Sequence, residues 1–328
     1  MLSIVQSIAL NGLDGYLVSI QVDISDGLPY FEIVGLPDMS VKESKERVKT
    51  AIKNTGIHLN SKKIIINLAP ANTRKEGSKF DLPIAIGVLI SNKEIKNKDL
   101  NKFLKETAFI GELSLNGKIE KVNGILAIVI EAKRLGIKRI ILPKENIKEA
   151  SIIDGIQILP VEYLNELIEY LNGNQKLKEV EKRKIDVKTE NKYEVDFSEV
   201  KGQESVKRAL EIVAAGGHNC CLIGSPGVGK TMLAKRLPSI LPDMNFEESL
   251  ETTKIYSISG LANQENPLIQ QRPFRSPHHN ITTASLIGGG RIPKPRRNKF
   301  SPLWCSIFRW INRIWQKCIR NIKRTIGR

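Results

Sequence analysis

The sequence predicts an α/β protein in two parts, a mixed-sheet domain and a second, incomplete α/β domain. Three observations carry this. Strand-like and helix-like patterns interleave over the first 170 residues without a strict strand–helix–strand rhythm. A stretch of dense mixed charge and little apolar content, "NGNQKLKEVEKRKIDVKTENKYE", then interrupts the patterning. Beyond it, "NCCLIGSPGVGKTMLAKRL" reads as strand, glycine-rich loop and helix. A length of 328 residues suits about two domains, and 41% apolar residues are enough for ordinary cores.

In "GYLVSIQVDIS", Tyr16, Val18, Ile20, Val22 and Ile24 fall on one face, the period of a half-buried strand. "PYFEIVG" and "KKIIINLAP" supply two more strands. The helix between them is predicted to start at Ser40, because Ser40 and Glu43 have the spacing of a capping box. Val41, Val48, Ala51 and Ile52 give it a narrow apolar face, and Gly56 ends it. "NGILAIVIEAKRLGIKRIILP" reads as a helix stopped at Gly136 and a short buried strand. In the second part a helix is expected from about Glu204 to Ala215, ending at Gly216–Gly217. Cys220 and Cys221 are read as buried thiols on a strand, since adjacent cysteines give neither a zinc-ligand spacing nor an easy disulfide. The expected organisation is therefore 1–171, a linker at 172–194, 195–295, and a separate tail at 296–328.

No apolar run reaches the roughly 18 residues of a bilayer span. The N-terminal stretch has no positive region ahead of an apolar core, so no secretory signal and a cytoplasmic location are expected. The net charge of +16 suggests nucleic acid, yet ten of the 51 basic residues follow Pro295 with no acid among them. Without those ten the balance is +6, which does not by itself define a nucleic-acid-binding protein.

Gly224, Ser225, Pro226, Gly227, Val228, Gly229, Lys230 and Thr231 fit the pattern of a phosphate-binding loop. Its glycines let backbone N–H groups wrap a polyphosphate at a helix N-terminus. Lys230 is placed to meet the β- and γ-phosphates, and the Thr231 hydroxyl to ligate Mg²⁺.

Around this loop the chain resembles the AAA+ ATPases of the magnesium-chelatase type. "DFSEVKGQESVKRALEIVAAGGHN" is similar to the family segment that lines the adenine pocket, at Val200 to Gln203. "QQRPFRSPHHNITTASLIGGGRIPKP" resembles its diagnostic insert, in which Arg272 and Arg275 beside His278 and His279 form a candidate cationic surface; a structural turn is the plainer reading of the His pair. The first part resembles the N-terminal domain of ComM/YifB-type competence proteins, a Lon-protease/S5-like α+β fold. "GELSLNGKIEKVNGILAIVIEAKRLGIKRIILPKEN" and "RKEGSKFDLPIAIGVL" are similar to the Lon stretches around its catalytic lysine and serine. Leu126 takes the lysine position and Lys79 the serine position, and neighbouring Ser78 has no obvious base. A Ser–Lys dyad is absent, so peptidase activity is not expected.

In the family, "GGGRIPKP" continues into "GEISLAH-GVLFLDE", whose acidic end is the Walker B motif. Here "RRNKFSPLWCSIFR" follows instead, and all three tryptophans, Trp304, Trp310 and Trp315, lie in the tail. A coding sequence for "PGEISLAHYGVLFLD", with one A inserted after its first codon, translates to Pro295–Arg309 without a mismatch. The tail is therefore expected to be out-of-frame text, against the competing reading of a basic, Trp-bearing segment that binds nucleic acid. The resemblance implies ATP, Mg²⁺, DNA and a hexameric ring, in a factor driving DNA branch migration during uptake and recombination. Without a Walker B acid, sensors or an arginine finger, weak ATP binding and negligible hydrolysis are expected, and no residue is assigned as catalytic. A metal-chelatase motor subunit and a non-enzymatic binding module are the alternatives; the former typically lacks the leading domain.

Overall fold

The computed structural model describes residues 2–59, 62–97, 99–180, 193–262, 267–275 and 305–306. The chain divides into two compact units, 1–185 with 256–267 and 186–255 with 268–328.

The first unit runs β1 (Leu2–Asn11), β2 (Asp14–Asp26), β3 (Tyr30–Val34), α1 (Met39–Asn54), β4 (Lys62–Ala69), α2 (Asp81–Ser91), α3 (Leu100–Glu106), β5 (Thr107–Phe109), β6 (Glu112–Leu113), β7 (Ile119–Glu120), α4 (Ile125–Arg134), β8 (Arg139–Pro143), α5 (Ile147–Ala150), β9 (Gln157–Val161) and α6 (Leu164–Asn172). Seven strands form one sheet in the order β3-β4-β2-β1-β5-β8-β9, and β6 and β7 make a small separate ladder. The sheet is mixed, as expected. β2 runs antiparallel to β1 and β4, while β3–β4, β1–β5, β5–β8 and β8–β9 are parallel.

The alternation in β2 is real: Val18, Ile20 and Val22 are fully buried and Ile24 nearly so. They pack beneath α1 and α2, whose apolar residues Val41, Val48, Ala51, Leu82, Ile84 and Ile86 belong to the same core. Gly87 of α2 is needed at this contact, because a Cβ there would lie 2.6 Å from a Val22 methyl. A second core, with Ile8, Ala108, Ile110, Ile128, Val129 and Ile140, lies under α4.

One local expectation of the first unit is corrected. The N-cap of α1 is Asp38, whose carboxylate accepts the Val41 amide at 2.8 Å. Ser40 instead donates its hydroxyl to Asp38 at 2.9 Å. A carboxylate facing the positive helix end outcompetes a hydroxyl two residues on. The sequence sets no expectation for β1, in which Ser3 and Ser7 are buried while Leu2 and Ile4 are exposed. Ser3 Oγ donates to the Gly87 carbonyl at 2.8 Å and Ser7 Oγ to the Phe109 carbonyl at 2.9 Å. Hydroxyls with such partners sit in a core without an unmet polar group.

The second unit holds α7 (Glu204–Gly216), α8 (Lys230–Arg236) and α9 (Phe246–Ile258) up to Ile255, then a two-residue parallel ladder of β10 (Phe274–Arg275) and β11 (Cys305–Ser306). The helix predicted from Glu204 is present and ends at Gly217, whose φ of 62° is left-handed. Its core is small: Phe197, Val200, Leu210, Ala214, Leu233 and Leu237.

The predicted strand at Cys220–Ile223 does not form. Both cysteines are exposed, and Ile223 is 92% exposed. A strand exists only through its neighbours' hydrogen bonds, and apart from the β10–β11 ladder the described residues of this unit contain no sheet. Of the tail after Pro295 the described residues are Cys305 and Ser306; the three tryptophans and Cys318 lie outside them.

Candidate functional site: a glycine-rich loop before a helix

The loop of the second unit is built by two glycines in left-handed backbone. Gly227 has φ of 88° and Gly229 of 82°, a conformation that costs an L side chain roughly 1 kcal/mol or more. An added Cβ at Gly227 would meet nothing within 4 Å, so the requirement there is backbone conformation and not space. Gly229 is also the residue before α8, and its carbonyl accepts the Leu233 amide at 3.0 Å.

Gly224, Ser225, Pro226, Gly227 and Val228 are exposed, while Gly229, Lys230 and Thr231 are half-buried. Lys230 begins α8 and folds back across the loop. Its Nζ donates to the carbonyls of Gly224, at 2.8 Å, and Ser225, at 2.7 Å. The ammonium is thus held against the backbone of the loop's first residues. Thr231 follows as the second residue of α8.

The segment expected beside the adenine reaches the loop through Gln203. Its Nε2 donates to the Val228 carbonyl at 3.1 Å, from a left-handed backbone with φ of 58°. Val200 is 1% exposed and packs in the core with Leu233 of α8. An Arg236–Glu199 ion pair at 3.1 Å from Nε ties α8 to the same segment. Sequence reasoning missed this tie, because partners 37 residues apart leave no spacing signal.

The Arg/His insert is only partly within the described residues. Arg272 is not a free surface cation: its Nη2 lies 3.0 Å from a Glu248 carboxylate oxygen, and its Nε donates to the Pro242 carbonyl at 2.7 Å. The Arg275 backbone is in β10, and His278 and His279 lie outside the described residues. Among the described residues no group of three or more His, Cys, Asp or Glu could hold a metal ion.

The Lon-like positions of the first unit are equally plain. Leu126 is fully buried on α4, with its amide donating to Glu149 Oε1 at 3.1 Å. Burial pushes the Glu149 carboxyl up, against the pull of its hydrogen bonds and of Lys121. Ser78 does have a partner that the sequence did not reveal, donating its hydroxyl to the Glu112 carboxylate. Lys79 has its Nζ 5.5 Å from the Phe80 ring centre, and burial brings its amine down to about 8, although Glu76 and Asp38 favour its charge. Position 126 supplies no amine and position 79 no hydroxyl, so the dyad is absent.

Nearby is a polar cluster with no sequence signature. Asp81, 0% exposed, accepts Arg47 Nε at 2.6 Å, Arg47 Nη2 at 3.1 Å and the Leu113 amide at 3.2 Å, and Ser44 donates to it as well. Burial raises the Asp81 carboxyl even so, while the bond to Asp81 raises the Arg47 guanidinium. Such a pair fixes how α1, α2 and β6 meet more than it adds net stability.

A mixed-sheet unit followed by a unit with a glycine-rich loop at a helix start defines a two-part α/β protein. Residues 20–146 match the family model for subunit ChlI of Mg-chelatase, and residues 196–298 match that for magnesium chelatase, subunit ChlI. The uncharacterized protein YifB of Escherichia coli is 43% identical over 296 residues, covering 90% of this chain and 56% of its own. The competence protein ComM of Haemophilus influenzae is 40% identical over 298 residues, 90% of this chain and 57% of its own. An archaeal Lon protease from Methanocaldococcus jannaschii is 27% identical over 120 residues, 37% of this chain and 18% of its own. The chain belongs to the magnesium-chelatase subunit ChlI family, in the group that contains YifB and ComM. It spans about half the length of these curated relatives. Among the described residues no helix is long and apolar enough to cross a membrane.

Proposed function

We propose that the chain binds ATP with Mg²⁺ at Gly224–Thr231, as part of a ComM/YifB-type machine that acts on DNA as a ring, here without turnover. The observation that carries the nucleotide reading is Lys230 Nζ held at 2.8 and 2.7 Å over a loop whose Gly227 and Gly229 are left-handed. This donor set fits a triphosphate. The backbone of Ser225 to Gly229 would wrap the phosphates, Lys230 would exchange its two carbonyls for β- and γ-oxygens, and Thr231 would ligate Mg²⁺. Val200 to Gln203 would border the adenine, with Gln203 bracing the loop at Val228. Bound Mg²⁺ supplies charge neutralisation between the phosphates.

Hydrolysis needs an acid to hold the metal and order water, and the chain has no Asp or Glu after Glu265. The Mg-chelatase family match ends at residue 298, just past Pro295, which supports reading the tail as out-of-frame text. The domain scheme of 1–171, 172–194 and 195–295 belongs to the same proposal.

Titration of a fluorescent ATP analogue with Mg²⁺ tests the reading. Saturable binding is expected, weakened at least tenfold by Lys230→Ala, with phosphate release at background. No affinity for ATP in the unsubstituted chain overturns the nucleotide site, and Lys230-dependent turnover overturns the inactive state. Resequencing the gene tests the tail: if no single-base change restores an acidic segment after Pro295, the frameshift is wrong.

A further inference from the structure

Helix α1 of the first unit carries a feature that neither the loop nor the family match uses. Lys42, Lys45, Lys49 and Lys53 recur every three or four residues, so they line one flank over roughly 16 Å of helix axis. Lys42 and Lys53 are exposed, and Lys45 and Lys49 half-exposed. None of the four makes an ion pair among the described residues. Several other cations of the unit are paired. Arg47 on the same helix is bound to Asp81 at 2.6 Å. Lys118, Arg134, Lys138, Arg139 and Lys144 elsewhere in the unit each meet a glutamate within 4 Å.

Glu43 lies 3.9 Å from Arg47, leaving Glu46 as the exposed acid that borders the row. Lys49 Nζ stands 5.2 Å from the ring centre of Phe31 on β3, and among the described residues β3 is an edge strand of the sheet. Like charges at this spacing disfavour a helix by a few tenths of a kcal/mol per pair; an external polyanion relieves them.

We propose that this lysine row is a track for the phosphodiester backbone of nucleic acid. Four ammoniums on flexible four-carbon stems suit successive phosphates and carry no means of reading bases. The apolar face of α1, with Val41, Val48, Ala51 and Ile52 all at 0% exposure, is committed to the core. The helix therefore has no apolar face to sink into a membrane surface, as an interfacial helix must. The inference rests on the DNA part of the functional proposal and gives it a location, independent of the nucleotide loop.

The test is fluorescence anisotropy of a labelled duplex of about 30 base pairs with the full chain, across roughly 50–200 mM salt. The set Lys42→Gln, Lys45→Gln, Lys49→Gln and Lys53→Gln is expected to weaken binding more than tenfold at the lowest salt. It is also expected to reduce the slope of log K against log salt by about 3 to 4, near 0.9 per phosphate lost. Arginine at the same four positions retains both. Glutamine at Lys102, Lys105, Lys133 and Lys148 makes the same change in net charge and is expected to alter the slope far less. Equal losses in the two glutamine sets, or none in the first, overturn the track while leaving DNA binding intact. No binding by the unsubstituted chain removes the DNA reading itself. Capture of anionic phosphatidylserine vesicles through these lysines, with no DNA binding, also overturns the proposal.

Discussion

The two units treat the same kind of sequence in opposite ways. "KKIIINLAP" and "NCCLIGS" are both apolar runs before a turn, yet only the first is a strand. Ile64 and Ile66 of β4 are 4% and 0% exposed, with β2 on one side and β3 on the other. Ile223 is 92% exposed and has no ladder. An apolar run becomes a strand when neighbours accept from its N–H groups and donate to its C=O groups, and no described strand of the second unit lies beside this run. Loop and helix behave differently. The glycine cradle and α8 form beside that unpaired run, because a left-handed glycine and an i→i−4 ladder are local.

Substitutions in both units test this contrast. Ile66→Ala is expected to destabilise the first unit by about 2–5 kcal/mol, as a cavity in a packed sheet does. Ile223→Ser is expected to stay within about 0.5 kcal/mol in the second. Hydrogen exchange followed in peptides from β4 and from α7–α8 reads both. A loss above 1 kcal/mol at Ile223 would mean that the run pairs in solution, and the contrast would fall.

Next in size is Lys79→Met. The folded amine titrates at about 8 against an ordinary 10.5, so below 8 the unfolded chain holds the proton more tightly and the lysine costs stability. That cost fades as pH rises from about 8 to 10.5. The methionine variant should gain roughly 1–3 kcal/mol at pH 7 and nothing near pH 11, measured by denaturant unfolding at each pH. A gain that does not change with pH would assign the effect to packing. A smaller effect is expected at Asp38→Ala, which removes the cap of α1 and should cost about 1 kcal/mol. Ser40→Ala should cost less, and the reverse order would restore Ser40 as the cap.

Much of the first unit was legible for physical reasons. β2 faces one core, so its alternation survives in the letters; α1 has one buried stripe and a glycine at its end. β1 was illegible because its buried Ser3 and Ser7 find acceptors that only the folded chain supplies, while Leu2 and Ile4 point outward. In the candidate site, the loop from Gly224 to Thr231 could be read from spacing alone. The Gln203–Val228 bond, the Arg236–Glu199 pair and the Arg272–Glu248 pair could not, since each joins residues distant in sequence. Arg272 shows the cost of reading cations without their partners: a residue that looked free to meet phosphate is already bound.

The sheet of the first unit is joined across its middle by little. β1 and β2 match along ten registered pairs, Leu2–Asp23 through Asn11–Asp14, whereas β1 meets β5 at the single pair Gln6–Ala108. The Ser7 hydroxyl on the Phe109 carbonyl reinforces that contact. Ladder hydrogen bonds across this seam are few, so the β5-β8-β9 strands stay with the rest of the sheet chiefly through cores that both sides share, Ile8 with Ala108 and Ile140, and Val5 and Ile20 with Phe109 and Ile141.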